Sequence, residues 1–129
     1  MDGFAVIIST PPFDLKFPTN VDARGNLTVL DGWQNIPFAV KRIYWIYGVP
    51  PGARRGGHAH NLCQQVLIAI SGSVRVTAHD REYTLDDPAR GLYVPPNVSI
   101  ALDAFTPGAV LLVLCSHLFA EEDYIREAE

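Results

Sequence analysis

The chain has 129 residues, 48% apolar and 19% charged, a balance that excludes a disordered polypeptide and suits one globular domain over residues 1–129. Its formal charge is −4 without any basic block. That speaks against a nucleic-acid partner but leaves anionic small molecules open, since a few local arginines suffice for those.

The N-terminus, MDGFAVIIST, has an acidic second residue and only a short apolar run. It does not read as a secretion signal, and no run reaches membrane-spanning length, so a cytoplasmic protein is expected. Ten glycines and ten prolines punctuate the chain throughout. Between them lie short segments rich in Val, Ile, Leu and Tyr. In chain order these predict strands at Phe4–Ser9, Asn26–Leu30, Val40–Tyr47, Gly57–His60, Gln65–Ile70, Ser73–Ala78, Glu82–Leu85, Gly91–Val94, Val98–Leu102 and Ala109–Ser116. Many short strands at this spacing indicate an all-β sandwich or barrel. Ser71–Ser73 reads as a tight hairpin turn. In the strand after it, Val74, Val76 and Ala78 face inward while Arg75 and Thr77 face out.

Two segments break the alternation. RIYWIY (Arg42–Tyr47) and AVLLVLCS (Ala109–Ser116) are apolar on both faces. Such strands need cover on their second side. Another sheet or a second subunit must supply it, and a homodimer packed sheet to sheet is the economical solution. The final stretch, AEEDYIREAE, is the one helical candidate, because Glu121, Glu122 and Asp123 would complement a helix N-terminus. Cys63 and Cys115 both lie in apolar runs, without a CxxC pattern, and are expected to be buried reduced thiols.

Arg54–His60, RRGGHAH, carries the chemistry. In a strand, residues i and i+2 share a face, so His58 and His60 aim together with Ala59 opposite. Gly56 and Gly57 let the backbone bend on entry. The spacing Gly52-x5-His58-x-His60-x4-Gln65-x6-Gly72 resembles the first motif of the cupin superfamily, which has Glu at the position of Gln65. A neutral amide is a poorer metal ligand, and the region of the second motif, Gly91–Leu102, contains no His. Neither His79 nor His117 falls at a recognisable ligand position. No metal is expected. A pair of imidazoles in a barrel mouth suits proton transfer near neutrality. The competing reading is that both histidines merely fill a strand face, which is costly for two polar rings beside arginines.

Taken together, DARGNLTVLDG (Asp22–Gly32), IPFAVKRIYWIY (Ile36–Tyr47), RGGHAHNLCQQVLIAISGSVRV (Arg55–Val76), GLYVPP (Gly91–Pro96), VLLVLCS (Val110–Ser116) and EEDYIRE (Glu121–Glu127) resemble the WxcM-like sugar-nucleotide 3,4-ketoisomerases of the cupin superfamily. The resemblance implies a cupin-type double-sheet β-barrel (jelly roll), with the short C-terminal helix read above. It also implies a cofactor-free isomerisation of dTDP-4-keto-6-deoxyglucose through an enediol(ate) that moves the ketone from C4 to C3, in deoxyamino-sugar biosynthesis. On it, His58, His60 and Tyr44 match catalytic residues, while Arg55, Arg24 and Gln65 match substrate-binding ones. A homodimer with N-terminal strand exchange is implied as well. The chain departs from the pattern at Asn61, usually Lys, and at Ser99 and Ile100, usually Trp followed by a polar residue. These positions border the expected substrate site. A keto-sugar-nucleotide epimerase and a non-catalytic sugar-nucleotide-binding cupin are the alternatives.

Overall fold

The computed structural model describes residues 11–126. Two five-stranded antiparallel sheets face one another. The first has the order β1 (Phe13–Lys16), β9 (Arg90–Val94), β6 (Gln65–Ser71), β11 (Val110–Cys115), β4 (Arg42–Tyr47). The second has the order β12 (Tyr124–Arg126), β5 (Arg55–His60), β10 (Ile100–Asp103), β7 (Val74–Ala78), β8 (Arg81–Leu85). A separate hairpin pairs β2 (Thr19–Asp22) with β3 (Gly25–Thr28). This is the expected all-β, double-sheet architecture.

Alternating burial explains the strands. In β7, Val74, Val76 and Ala78 are buried while Arg75 and Thr77 are half-buried. They join Leu67, Leu92, Leu111 and Val113 in the core between the sheets. A second apolar cluster lies on the outer face of the first sheet, where Phe17, Ile36 and Phe38 cover Val66, Ile68, Tyr93 and Leu114. The chain's own N-terminal part thus supplies the second-side cover that β11 required. Among the described residues, none gives β4 such cover. Ile43, Trp45 and Tyr47 remain 54, 58 and 69% exposed.

Three sequence expectations need correction or completion. Ser71–Ser73 is not a hairpin turn: β6 lies in one sheet and β7 in the other, so the turn carries the chain around a corner. Gly72 is required there, at φ 67°, because an added Cβ would lie 2.6 Å from Thr106 Oγ1 and 2.9 Å from Ala109 Cα. Second, the described part of the C-terminal stretch, to Arg126, forms no α-helix. Glu121–Asp123 makes a single 3-10 turn, and Tyr124–Arg126 adds an edge strand to β5. A ten-residue helix without a capping side chain is marginal in water, whereas the free edge of β5 supplies a ready ladder. Third, β1 and β2 were not foreseen. The predicted strand Phe4–Ser9 lies outside the described residues.

Candidate active site

β5 places the histidines. Gly56 and Gly57 take φ 95° and 86°, and the register with β10 shifts between Ile100 and Ala101. Such a bulge re-aims the residues beyond it. A Cβ on Gly56 would come within 2.6 Å of the Ile100 carbonyl oxygen, so glycine is what lets β10 approach. Past the bulge, His58 and His60 share the inward face and Ala59 is buried on the other, as expected from the sequence. Their rings lie 5.6 Å apart.

Both histidines line a cavity of ≈ 340 Å³ between the sheets. β4 contributes Arg42 and Tyr44 to its wall, β6 contributes Gln65, and β10 contributes Ile100 and Leu102. Tyr124, on β12, closes one side. Its ring stacks on His58 at 4.5 Å and 22°, and meets His60 edge-on at 4.6 Å. Arg55 stands exposed on the rim.

His60 is held by a carboxylate from the far end of the chain. Its Nδ1 lies 3.2 Å from Asp123 Oδ2, with the two side chains only 11 and 12% exposed. Asp123 is itself fixed: Oδ1 accepts the Leu62 amide at 2.8 Å and Oδ2 the Cys63 amide at 3.3 Å. The Asn61 amide donates to its backbone carbonyl at 2.7 Å. A carboxylate beside Nδ1 selects the Nδ1–H tautomer and leaves Nε2 as the lone-pair nitrogen. Asp123 therefore ties the β5–β6 turn to the imidazole instead of opening a helix.

Tyr44 brings a hydroxyl to the opposite wall of the cavity. Its hydroxyl accepts a hydrogen bond from Gln65 Nε2 at 3.3 Å, and the Arg42 guanidinium lies 4.8 Å over its ring. Burial pushes the phenol up to about 12, outweighing Arg42 and the Gln65 bond, which act the other way. The group is thus a hydroxyl at neutral pH, able to donate to a substrate oxygen. Gln65 is buried and acts on Tyr44 from behind.

The remaining sequence candidates lie elsewhere. Asn61 is exposed and borders a neighbouring, mostly apolar depression with Lys41, Leu62 and Phe119. Asp123 separates that depression from the histidine cavity. Ser99 stands directly before β10, while the next residue, Ile100, is the one that reaches the cavity. Arg24 sits in the β2–β3 turn, its guanidinium paired with Asp22 at 2.7 Å and outside this subunit's cavity. The structure adds Asp123, Arg42 and Tyr124 to the set. Arg42 and Tyr124 belong to stretches whose resemblance was already visible, but no local pattern marked them. Asp123 had read as a helix-terminal acid. Among the described residues, no group of three or more His, Cys, Asp or Glu side chains is arranged to hold a metal ion.

Comparison with known proteins decides the family. The family model described as "FdtA: WxcM-like, C-terminal" matches residues 14–129. The chain belongs to this family. It is 41% identical over 117 residues to the TDP-4-oxo-6-deoxy-alpha-D-glucose-3,4-oxoisomerase of Aneurinibacillus thermoaerophilus, covering 88% of this chain and 84% of that one. A 3,4-ketoisomerase from Helicobacter canadensis superposes with a TM-score of 0.86 at 38% identity, over 90% of each chain. A histidine-to-asparagine mutant of the Thermoanaerobacterium thermosaccharolyticum 3,4-ketoisomerase, solved with TDP-4-keto-6-deoxyglucose, superposes at 0.83 with 42% identity, over 90% of this chain and 87% of that one.

Proposed function

We propose that this FdtA-family chain is an isomerase that converts TDP-4-keto-6-deoxyglucose to the 3-keto sugar. The observation that carries the reading is the carboxylate-held His60 facing a protonated Tyr44 across one cavity, in a chain similar to enzymes of this activity over most of its length. The C3 proton beside a C4 ketone is the acidic one. His60 Nε2 removes it, and the Asp123 carboxylate stabilises the imidazolium that results. The enediolate oxygen takes a hydrogen bond from the Tyr44 hydroxyl, a donor already fixed in place. A proton is then returned at C4, and His58, on the same strand face, stands beside His60 for the delivery or relay. Arg42 and Arg55 both line the cavity, and a guanidinium of either suits a phosphate oxygen of the substrate. Gln65 positions Tyr44. These steps require no cofactor.

The exposed outer face of β4 supports a homodimer. Trp45, Ile43 and Tyr47 form an apolar row on an edge strand of the first sheet, and rows of this kind are normally covered. N-terminal strand exchange would bring Phe4–Ser9 of a partner to such an edge. No helix among the described residues is long and apolar enough to cross a membrane, and we place the enzyme in the cytoplasm, in deoxyamino-sugar biosynthesis.

NMR of TDP-4-keto-6-deoxyglucose in D2O with the protein tests the reading. A 3-keto product carrying deuterium at C4 is expected. Loss of the C3 proton signal alone would mean that only the first half-reaction occurs. An unchanged spectrum would reject the isomerase and favour a binding module.

A further inference from the structure

Tyr124 lines the cavity but takes no step in the isomerisation. It opens β12 as the ladder partner of His60, and its amide closes the 3-10 turn on the Glu121 carbonyl. Asp123 and Tyr124 are thus presented by one short piece of backbone, and they go to different histidines. Asp123 reaches Nδ1 of His60 at 3.2 Å. The Tyr124 ring lies against His58, with centroids 4.5 Å apart and planes 22° from parallel. The same ring meets His60 edge-on at 4.6 Å. Phe119 braces it at 5.5 Å and 66°, and itself lies under the Arg42 guanidinium at 5.4 Å.

A stacked ring fixes the plane of an imidazole and hence the direction of its N–H bonds. An aromatic face also favours a cation over a neutral ring. Both effects suit a group that must hold a proton and release it in one direction. The surroundings of His58 otherwise disfavour a positive charge. Arg42 and Arg55 line the same cavity as cations, Tyr44 is a neutral phenol there, and Arg126 is the ladder partner of His58. His60 becomes a further cation 5.6 Å away once it has taken a proton, and the Asp123 carboxylate is turned to His60. The face of Tyr124 offsets this repulsion. An aliphatic side chain would fill the same space but would neither orient the ring nor favour its charged form.

We propose that Tyr124 is the positioning residue of the second half-reaction: the face of its ring holds His58, as the imidazolium, in the orientation from which a proton is returned at C4. This rests on the isomerase reading and divides the work of its two histidines. His60 with Asp123 removes the C3 proton, and His58 with Tyr124 returns one. In the return step the His58 N–H bond breaks, and a C–H bond forms at C4 from the C=C pair of the enediolate. With the hydroxyl proton moved from O3 to O4, the O3 lone pair closes the ketone at C3. His60 then gives its proton to solvent and His58 takes one up, so both rings are reset and nothing is consumed.

The test follows TDP-4-keto-6-deoxyglucose in D2O by NMR with the full-length chain and two variants. Tyr124→Phe keeps the ring and loses the hydroxyl; Tyr124→Leu loses the ring and keeps an apolar side chain. The wild type and Tyr124→Phe should form 3-keto product at similar rates. Tyr124→Leu should form it on the order of a hundredfold more slowly, as for a misplaced catalytic group, with KM little changed. It should still exchange the C3 proton, so that recovered substrate carries deuterium at C3. Without substrate, the His58 ring protons are shielded by the face of Tyr124; their resonances should hold in Tyr124→Phe and move downfield in Tyr124→Leu, with circular dichroism unchanged. Equal loss of exchange and product in Tyr124→Leu, a phenylalanine variant as slow as the leucine one, or unmoved His58 resonances would overturn the proposal. If the leucine variant unfolds, Tyr124→Phe still decides, because a slow one removes the ring from its role. A wild type that neither exchanges nor turns over would overturn the isomerase reading and the proton return with it, while the His58 resonances report separately whether Tyr124 holds that ring.

Discussion

The two faces of β4 differ more than any two regions of similar composition in this chain. Tyr44 points inward, is held by Gln65 and Arg42, and is buried enough to keep its proton far above neutrality. One residue on, Trp45 points outward, 58% exposed with no cover from the other described residues. The strand period of two sends neighbouring side chains to opposite faces, so one strand can serve chemistry on one side and association on the other. Changes on the inner face should therefore alter turnover and spare assembly, and changes on the outer face the reverse.

The largest break is His60→Asn. Removing the proposed base should cost about 10²–10⁴ in kcat, with far-ultraviolet circular dichroism and oligomeric mass unchanged. Near-normal turnover in the NMR assay would remove His60 from the mechanism. Tyr44→Phe comes next. Loss of a fixed oxyanion donor is worth about 10²–10³ in kcat, and kcat should fall much more than KM rises. Equal losses in both would mean that Tyr44 binds substrate rather than the enediolate. Asp123→Asn keeps a polar group of the same size but removes the charge that supports the imidazolium. A drop on the order of a hundredfold in kcat is expected, with KM changed little and the Asp123→Glu variant recovering part of the rate. Equal losses in the asparagine and glutamate variants would make Asp123 merely structural.

Part of this site was legible in the sequence because its signals are local. The i, i+2 rule put His58 and His60 on one face, and the two glycines before them announced a bend, which the structure realises as a bulge. Tyr44 and Gln65 followed from the resemblance of their stretches. Asp123 was not legible: it is 63 residues from His60, and its neighbours Glu121 and Glu122 made it look like part of a helix start. Only the β12–β5 pairing brings it home. The fold shows the same division. Glycine and proline punctuation around Val-, Ile-, Leu- and Tyr-rich segments located β5 to β11 to within a few residues, but it cannot say which sheet the next strand joins. A hairpin turn and a sheet-to-sheet corner draw on the same residues, and Gly72 is a corner because Thr106 and Ala109 crowd it. β1 escaped because prolines flank it and its strand is largely exposed.

The outer face is tested by Trp45→Glu. A charge in the centre of an apolar interface should cost about 2 kcal/mol or more in association, read as a shift from dimer toward monomer by sedimentation. An unchanged mass distribution would leave β4's outer face without the role proposed for it. Retention of most turnover in the dissociated protein would show the cavity to be complete within one subunit. Strong loss would place part of the site, with Arg24 as the first residue to examine, across the interface.

The smallest effect probes the inner face by pH alone. Tyr44 has a folded pKa of about 12 against an ordinary 10.0, chiefly because burial disfavours the phenolate. Below pH 10 the phenol is protonated in both folded and unfolded chains and contributes no pH dependence. Above it the unfolded chain loses the proton while the folded one retains it, so the unfolded state gains stability until the folded pKa is passed. Wild-type stability should therefore decline from about pH 10 toward 12, and Tyr44→Phe should remove part of that slope in denaturant melts. A slope that Tyr44→Phe leaves unchanged would mean that burial on the inner face of β4 is not what governs Tyr44.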